Sequence, residues 1–238
     1  MTKSKPMISI IIPAYNEEGF IENTLRQLNT LRDEADFEII VSDGGSTDNT
    51  VERAIPYAKI IHSPKGKAIQ LNNAANYASG DILLFVHADM FVPHGALRAI
   101  IEKINEQGFD GGGFSNIFSD NNKKIKMLGR IMNLRFSNKS QAERKIFYGD
   151  NGIFVNKEVF QKMGGFKYVP IMEDYDFSIR MLSRYKVCLI KEPRIIVDAR
   201  RHVKDGFLKT RIKWVLIKRL FLLGVSPKWL NDWYKDIR

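Results

Sequence analysis

Four stretches of this sequence hold side chains whose types and spacing suit work on a charged ligand. HADM (87–90) places Asp89 just past the apolar run LLFV. A carboxylate there belongs at the rim of a sheet, where a hard divalent cation accepts its oxygen while phosphate and water complete the shell. MEDYD (172–176) packs three acids into five residues. Acids at a helix start are favoured by the helix dipole, so capping accounts for some of them; one aimed into a cleft can serve as a general base. DARRHVKDG (198–206) supplies Arg200, Arg201, His202 and Lys204. Paired arginines hold phosphate oxygens bidentately, and a solvated basic loop is the alternative. DGGSTDNT (43–50) is a strand-to-helix turn. Its glycines admit a ligand to the backbone and the helix start offers N–H groups, although an Asp/Gly turn with a helix cap would look the same.

Other chemistries lack their residues. Asp43 stands where a dinucleotide-binding turn needs glycine, and neither GxGxxG nor a GxxxxGKS/T loop occurs. No Ser-His-Asp or Cys-His pattern stands out. Cys188 is the only cysteine and the four histidines are scattered, so zinc-ligand spacing is missing. His87 reads as a group packed beneath the Asp89 site.

Alternating elements must position these groups. Strands are predicted at 7–12, 37–42, 58–63 and 81–87, with helices at 17–31, from about 47 to 54, at 67–78 and at 94–107. Strand–helix alternation with continuous apolar strands specifies a mainly parallel central sheet covered on both faces. Ligands bind such sheets at the carboxyl ends of the strands. The loops after all four strands, holding Pro13 to Glu17, Asp43 to Gly45, Ser63 to Lys67 and His87 to Asp89, converge on that rim. Further strands are predicted at 111–118, 152–155, 187–190 and 194–199, with helices near 124–136, at 157–163 and at 172–184, and a helical tail from Gly206 broken at 224–227.

The bulk numbers fit this reading. The 238 residues are 44% hydrophobic and 27% charged, ordinary for a globular enzyme. A formal net charge of +10 draws anions: nucleic acid, acidic lipid or a phosphorylated small molecule. The lone cysteine fits a reducing, cytoplasmic compartment. The N-terminal run ISIII is too short for a secretory signal, and no transmembrane span is expected.

IIIPAYNEE, DGGSTDNT, SPKGKAIQLNNAANYASGD, LLFVHADM, YGDNGIFVNKEVFQKMGGF and MEDYDFSIR, in that order over residues 7–184, resemble glycosyltransferase family 2. DGGSTDNT and the tail DARRH…GFLKTRIKW…LGVSPKWL…WY look more narrowly like a bacterial subfamily labelled arsenosugar-biosynthesis or radical-SAM/selenodomain-associated glycosyltransferases. The resemblance implies an α/β GT-A fold, Rossmann-like, over residues 1–205: a nucleotide-binding half (1–108) and an acceptor half (109–205), followed by a helical tail (206–238). It also implies inverting transfer of one sugar from a nucleotide-diphosphate sugar, with UDP as the carrier, to a small-molecule or lipid-linked acceptor.

On the family's pattern Pro13, Ala14, Tyr15 and Glu17 line the base and ribose pocket. Asp43 bonds the base, and Lys67 lies beside the nucleotide. Asp89 holds Mn²⁺ or Mg²⁺ against the diphosphate. Arg200 and Arg201 offset its charge, Tyr148, Gly149, Asp150 and Glu173 face the acceptor, and Asp174 is the catalytic base. His87 replaces the first acid of the family's metal motif, leaving one carboxylate for the ion. The QxxRW motif of processive members is missing, so a single transfer is expected, with no nucleic-acid partner. The rival readings are a non-catalytic basic module for anionic lipid or nucleic acid, and a nucleotidyltransferase.

In the tail, Leu208, Ile212, Val215, Leu216 and Leu223 form one apolar stripe and Trp214, Ile217 and Phe221 another. One stripe can dock on the core. Either Trp229 and Trp233 cover the other, or it meets a membrane surface through the interleaved lysines and arginines.

Overall fold

A computed structural model describes residues 6–119, 146–198 and 207–234. Eight strands form one sheet in the order β3-β2-β1-β4-β7-β6-β8-β5. They are β1 (Ile8–Ala14), β2 (Phe37–Asp43), β3 (Lys59–His62), β4 (Ile82–Phe85), β5 (Met90–Phe91), β6 (Gly111–Ser119), β7 (Phe154–Asn156) and β8 (Val187–Asp198). The helices are α1 (Ile21–Asn29), α2 (Thr50–Ala54), α3 (Lys67–Asn76), α4 (Ala96–Ile101), α5 (Lys157–Lys162), α6 (Glu173–Arg184), α7 (Phe207–Leu222) and α8 (Pro227–Trp233). A π-helical turn (Glu102–Glu106) extends α4.

The first half follows the expected alternation. β1 pairs in parallel with β2 and β4, and β2 with β3. β7 then enters antiparallel between β4 and β6, and β8 returns parallel to β6. Apolar strand residues serve two cores because successive side chains point to opposite faces. Ile8, Ile10 and Ile12, with Ile39, Val41, Ile82 and Leu84, pack under α1 and α4. Ile11, Ile40, Leu83 and Phe85 pack under α3, α5 and α6. On this second face Phe85, Phe160, Phe166 and Phe177 form an aromatic cluster with centroids 4.5–5.6 Å apart. Phe177 belongs to α6, so the cluster anchors the helix that carries the acids of MEDYD.

Three elements differ from expectation. The two strands expected at 187–190 and 194–199 are one strand, β8, because β6 pairs along its whole length and absorbs the interruption in a bulge between Phe114 and Asn116. β3 is a residue shorter at each end than the expected 58–63 and is an exposed-to-half-buried edge strand. β5 is a two-residue strand that no periodicity announces; it pairs antiparallel with β8. The helix expected near 124–136 lies outside the described residues.

Candidate active site

The carboxyl ends of β1 and β4 open into a cleft lined by Pro13, Ala14, Tyr15, Glu17, Lys67, Gln70, His87, Ala88 and Asp89, with about 390 Å³ of space partly open to solvent. The structure thus brings together Pro13, Ala14, Tyr15, Glu17, Lys67 and Asp89 from three separate loops. Two of these loops are laced to neighbours. Asn16 takes a positive φ of 53°, and its side chain accepts from Thr47 N–H at 2.9 Å while its own N–H donates to Ser46 Oγ at 2.9 Å. The Glu17 N–H donates to Thr50 Oγ1 at 2.7 Å. On the far side Thr24 Oγ1 donates to Ala88 O at 2.6 Å, so α1 holds the loop that carries Asp89. The Lys65 ammonium lies over the Tyr15 ring at 3.7 Å.

Asp43 does not line this cleft. It is buried, and its carboxylate accepts from the N–H groups of Gly45 at 3.0 Å and Ser46 at 3.2 Å, closing its own turn. Arg200 and Arg201 lie outside the described residues.

Gln70 was not singled out by the sequence. Its Nε2 donates to both Ala14 O at 2.8 Å and Ser42 O at 2.7 Å, tying the ends of β1 and β2. The available signal was its place three residues after Lys67, on the same face of α3. Gln70→Leu removes both bonds inside a buried site; an expected loss of about 1–2 kcal/mol is read by chemical denaturation.

Behind Lys67 lies the charged centre. The Lys67 ammonium is 2.9 Å from Glu173 Oε1 and 3.9 Å from Asp174 Oδ2. Asp174 Oδ2 accepts from the Gly149 N–H at 2.7 Å and Oδ1 from its neighbour Tyr175 N–H at 2.6 Å. Met172, with φ of 69°, turns the chain into α6 immediately before this pair. The short 3₁₀ turn Gly149–Asn151 is pinned from below: Asn151 Nδ2 donates to Phe114 O at 2.9 Å, and Phe147 N–H to Ser178 Oγ of α6 at 2.7 Å. A β-carbon at Gly149 would meet His87 Nε2 at 2.5 Å and Lys67 Nζ at 2.8 Å, so a larger residue would displace the ends of both side chains. His87 Nδ1 is 3.4 Å from Asp150 Oδ1. Its buried Nε2 has no hydrogen-bond partner among the described residues. His87 therefore forms a wall of the cleft rather than packing beneath it.

The two adjacent carboxyls titrate apart. Burial pushes Glu173 up, but the Lys67 ammonium outweighs it and holds Glu173 below its ordinary range. Burial and the Glu173 charge push Asp174 up, against the pull of Lys67 and the two backbone N–H groups. Burial opposes the charge on Lys67, and the two carboxylates more than restore it. A cation, a fixed anion and a carboxylate of raised basicity thus sit together. Neighbouring carboxyls driven apart in this way are the usual mark of an acid–base site.

Asp89 is half-buried in the cleft wall, and no group of three or more ligating side chains gathers around a point among the described residues. With one carboxylate, a divalent cation here would take most of its shell from phosphate oxygens and water.

This fold has known counterparts. The model for glycosyl transferase family 2 matches residues 9–164, and the chain belongs to that family. Glucosyl-3-phosphoglycerate synthase of Mycobacterium tuberculosis (strain CDC 1551 / Oshkosh) is 36% identical over 104 residues, covering 39% of this chain and 32% of the relative. The chain therefore spans about a third of the length of that curated relative. S. aureus TarS (residues 1–349) in complex with UDP superposes with a TM-score of 0.65 at 19% identity, over 81% of this chain and 60% of that one. A complex of the M. tuberculosis synthase with Mn²⁺, UDP and glucosyl-3-phosphoglycerate gives a TM-score of 0.57 at 20% identity, over 81% and 70%. The fold is GT-A.

Proposed function

We propose that this chain is an inverting, non-processive glycosyltransferase that moves one sugar from a UDP-sugar to the hydroxyl of a small-molecule or lipid-linked acceptor. The observation that carries the reading is the Lys67–Glu173–Asp174 cluster, with Glu173 buried and its partners half-buried, beside a cleft walled by Tyr15, Glu17 and Asp89. On this reading residues 1–108 bind the donor and 109–205 the acceptor, the compartment is cytoplasmic, and the narrower kinship is with the arsenosugar-associated subfamily.

Asp174 accepts the proton of the acceptor hydroxyl as that oxygen forms its bond to the anomeric carbon. The bond from that carbon to the phosphate oxygen breaks on the opposite face, and its electron pair leaves with UDP. Lys67⁺ keeps Glu173 ionised, and the Glu173 charge raises the basicity of Asp174 for this step. The Gly149 N–H fixes the Asp174 carboxylate. Tyr148 and Asp150 flank that donor on the acceptor side. Asp89 would hold Mn²⁺ or Mg²⁺, which offsets charge on the diphosphate. Arg200 and Arg201 are assigned to that diphosphate, and Asp43 to the base.

A panel of UDP, GDP, dTDP and CMP with Mn²⁺, Mg²⁺ or chelator tests the reading by thermal shift. UDP with Mn²⁺ at about 100 times its Kd should add about 2.7 kcal/mol, or about 5–10 °C for a chain of this size. No shift with any nucleotide would favour the non-catalytic binding module.

A further inference from the structure

Helix α7 has two apolar faces with different fates. Trp214, Ile217, Leu220 and Phe221 turn inward onto Ile171, Met172 and Tyr175. Ile212, Val215, Leu216 and Leu222 turn outward, at 42–59% exposure, and Leu223 just beyond the helix is 80% exposed. Trp229 and Trp233 of α8 do not cover them; they are stacked parallel at 6.5 Å and are themselves 53% and 43% exposed. Scattered exposed apolar residues are ordinary, but a face of this extent marks an interaction surface.

The charges identify the occupant. At about 100° per residue, Ile212, Val215, Leu216, Arg219, Leu222 and Leu223 share one side of α7. Arg219 is exposed in the middle of that side and half-buried Lys213 stands at one edge, while the Lys218 ammonium lies over the inner Tyr175 ring at 5.1 Å. Residues 207–234 hold six lysines and arginines against the single acid Asp232. A second copy docking by the same face would set Arg219 against itself. An anionic headgroup layer accepts those cations, and their stems follow the apolar strip. Tryptophan suits the boundary between the wet and dry zones. Among the described residues no helix is long and apolar enough to cross a membrane, so the fit is to a surface.

We propose that the outer face of α7, with Trp229 and Trp233, docks on an anionic lipid bilayer. The inner face of the same helix packs on Met172 and Tyr175, the neighbours of Glu173 and Asp174. The docked surface and the charged centre are thus one packing layer apart. The proposal does not rest on sugar transfer, because its test reads partition alone.

The test is flotation of the full chain with phosphatidylglycerol–phosphatidylcholine vesicles. The chain should float with them, less so at high salt, and remain behind with phosphatidylcholine alone. The variants Leu216→Ser/Trp229→Ser/Trp233→Ser and Arg219→Glu/Lys228→Glu should each bind at least about tenfold more weakly while keeping the wild-type circular-dichroism melt. A wild-type chain that stays behind with phosphatidylglycerol, or variants that float equally well, would overturn the proposal. So would a wild-type dimer without vesicle binding, dispersed by the first variant.

Discussion

Asp174→Asn lowers turnover of a UDP-sugar by about a thousandfold, within the range for loss of a general base, and leaves UDP affinity unchanged. The readout does not need the natural acceptor: water can take the acceptor's place, and its proton goes to the same carboxylate. Asparagine keeps the shape and an oxygen for the Gly149 N–H, which now meets Asp174 Oδ2 at 2.7 Å. It removes the proton acceptor together with the bond from the Tyr175 N–H, because an amide has one oxygen for the two backbone donors. Stability should change little. A carboxyl whose pKa is raised on folding favours the fold in its neutral form; that contribution is present below the unfolded value and is lost as pH rises through the folded one. The neutral amide avoids the loss.

The same raised pKa sets the acid limb of the activity profile. Asp174 must be ionised to act, so activity falls as pH drops through its value, above that of an ordinary carboxylate. Glu173→Gln removes the charge that, after burial, pushes Asp174 up most. The acid limb should then move to lower pH. A pH profile that does not move would separate Glu173 from the base.

Lys67→Met destabilises the chain by about 2–3 kcal/mol, somewhat below the cost of breaking a fully buried pair because Lys67 keeps some exposure. That corresponds to a fall of about 4–12 °C in melting temperature. It leaves Glu173 as an uncompensated buried anion. In the wild type Glu173 is held below its ordinary range, so it contributes stability above its unfolded value that is lost as pH falls through the folded one. The gap between wild type and variant is therefore widest near neutral pH and closes in acid. Lys67→Met/Glu173→Gln should recover most of the loss, because both partners are then uncharged. A constant gap across pH would mean that Lys67 matters for packing rather than charge.

How much of this was legible in the sequence depends on what decides each element. β1, β2 and β4 each hold a run of three or more consecutive apolar residues because both faces are covered, and those runs are visible without tertiary information. The convergence of Tyr15, Lys67 and Asp89 follows from parallel topology alone. The antiparallel entry of β7 between β4 and β6 does not, since pairing partners far apart in sequence leave no local mark. The same holds for β8, whose KEP interruption reads as a break until β6 is seen bridging it. Gln70 reads as a polar helix residue until the ends of β1 and β2 come beside it. The tail's two stripes were visible as periodicity, but which one faces Tyr175 is decided by packing.

The most direct test of the central claim is isothermal titration of UDP into wild type and Asp89→Ala, each with Mn²⁺ and with chelator. Wild type should bind UDP more tightly with Mn²⁺, and Asp89→Ala should lose that difference while keeping its metal-independent affinity through the Tyr15 and Glu17 side of the cleft. Equal UDP affinity with and without metal in wild type, or an unaltered metal dependence in Asp89→Ala, would contradict the assignment of this cleft as a metal-assisted donor site.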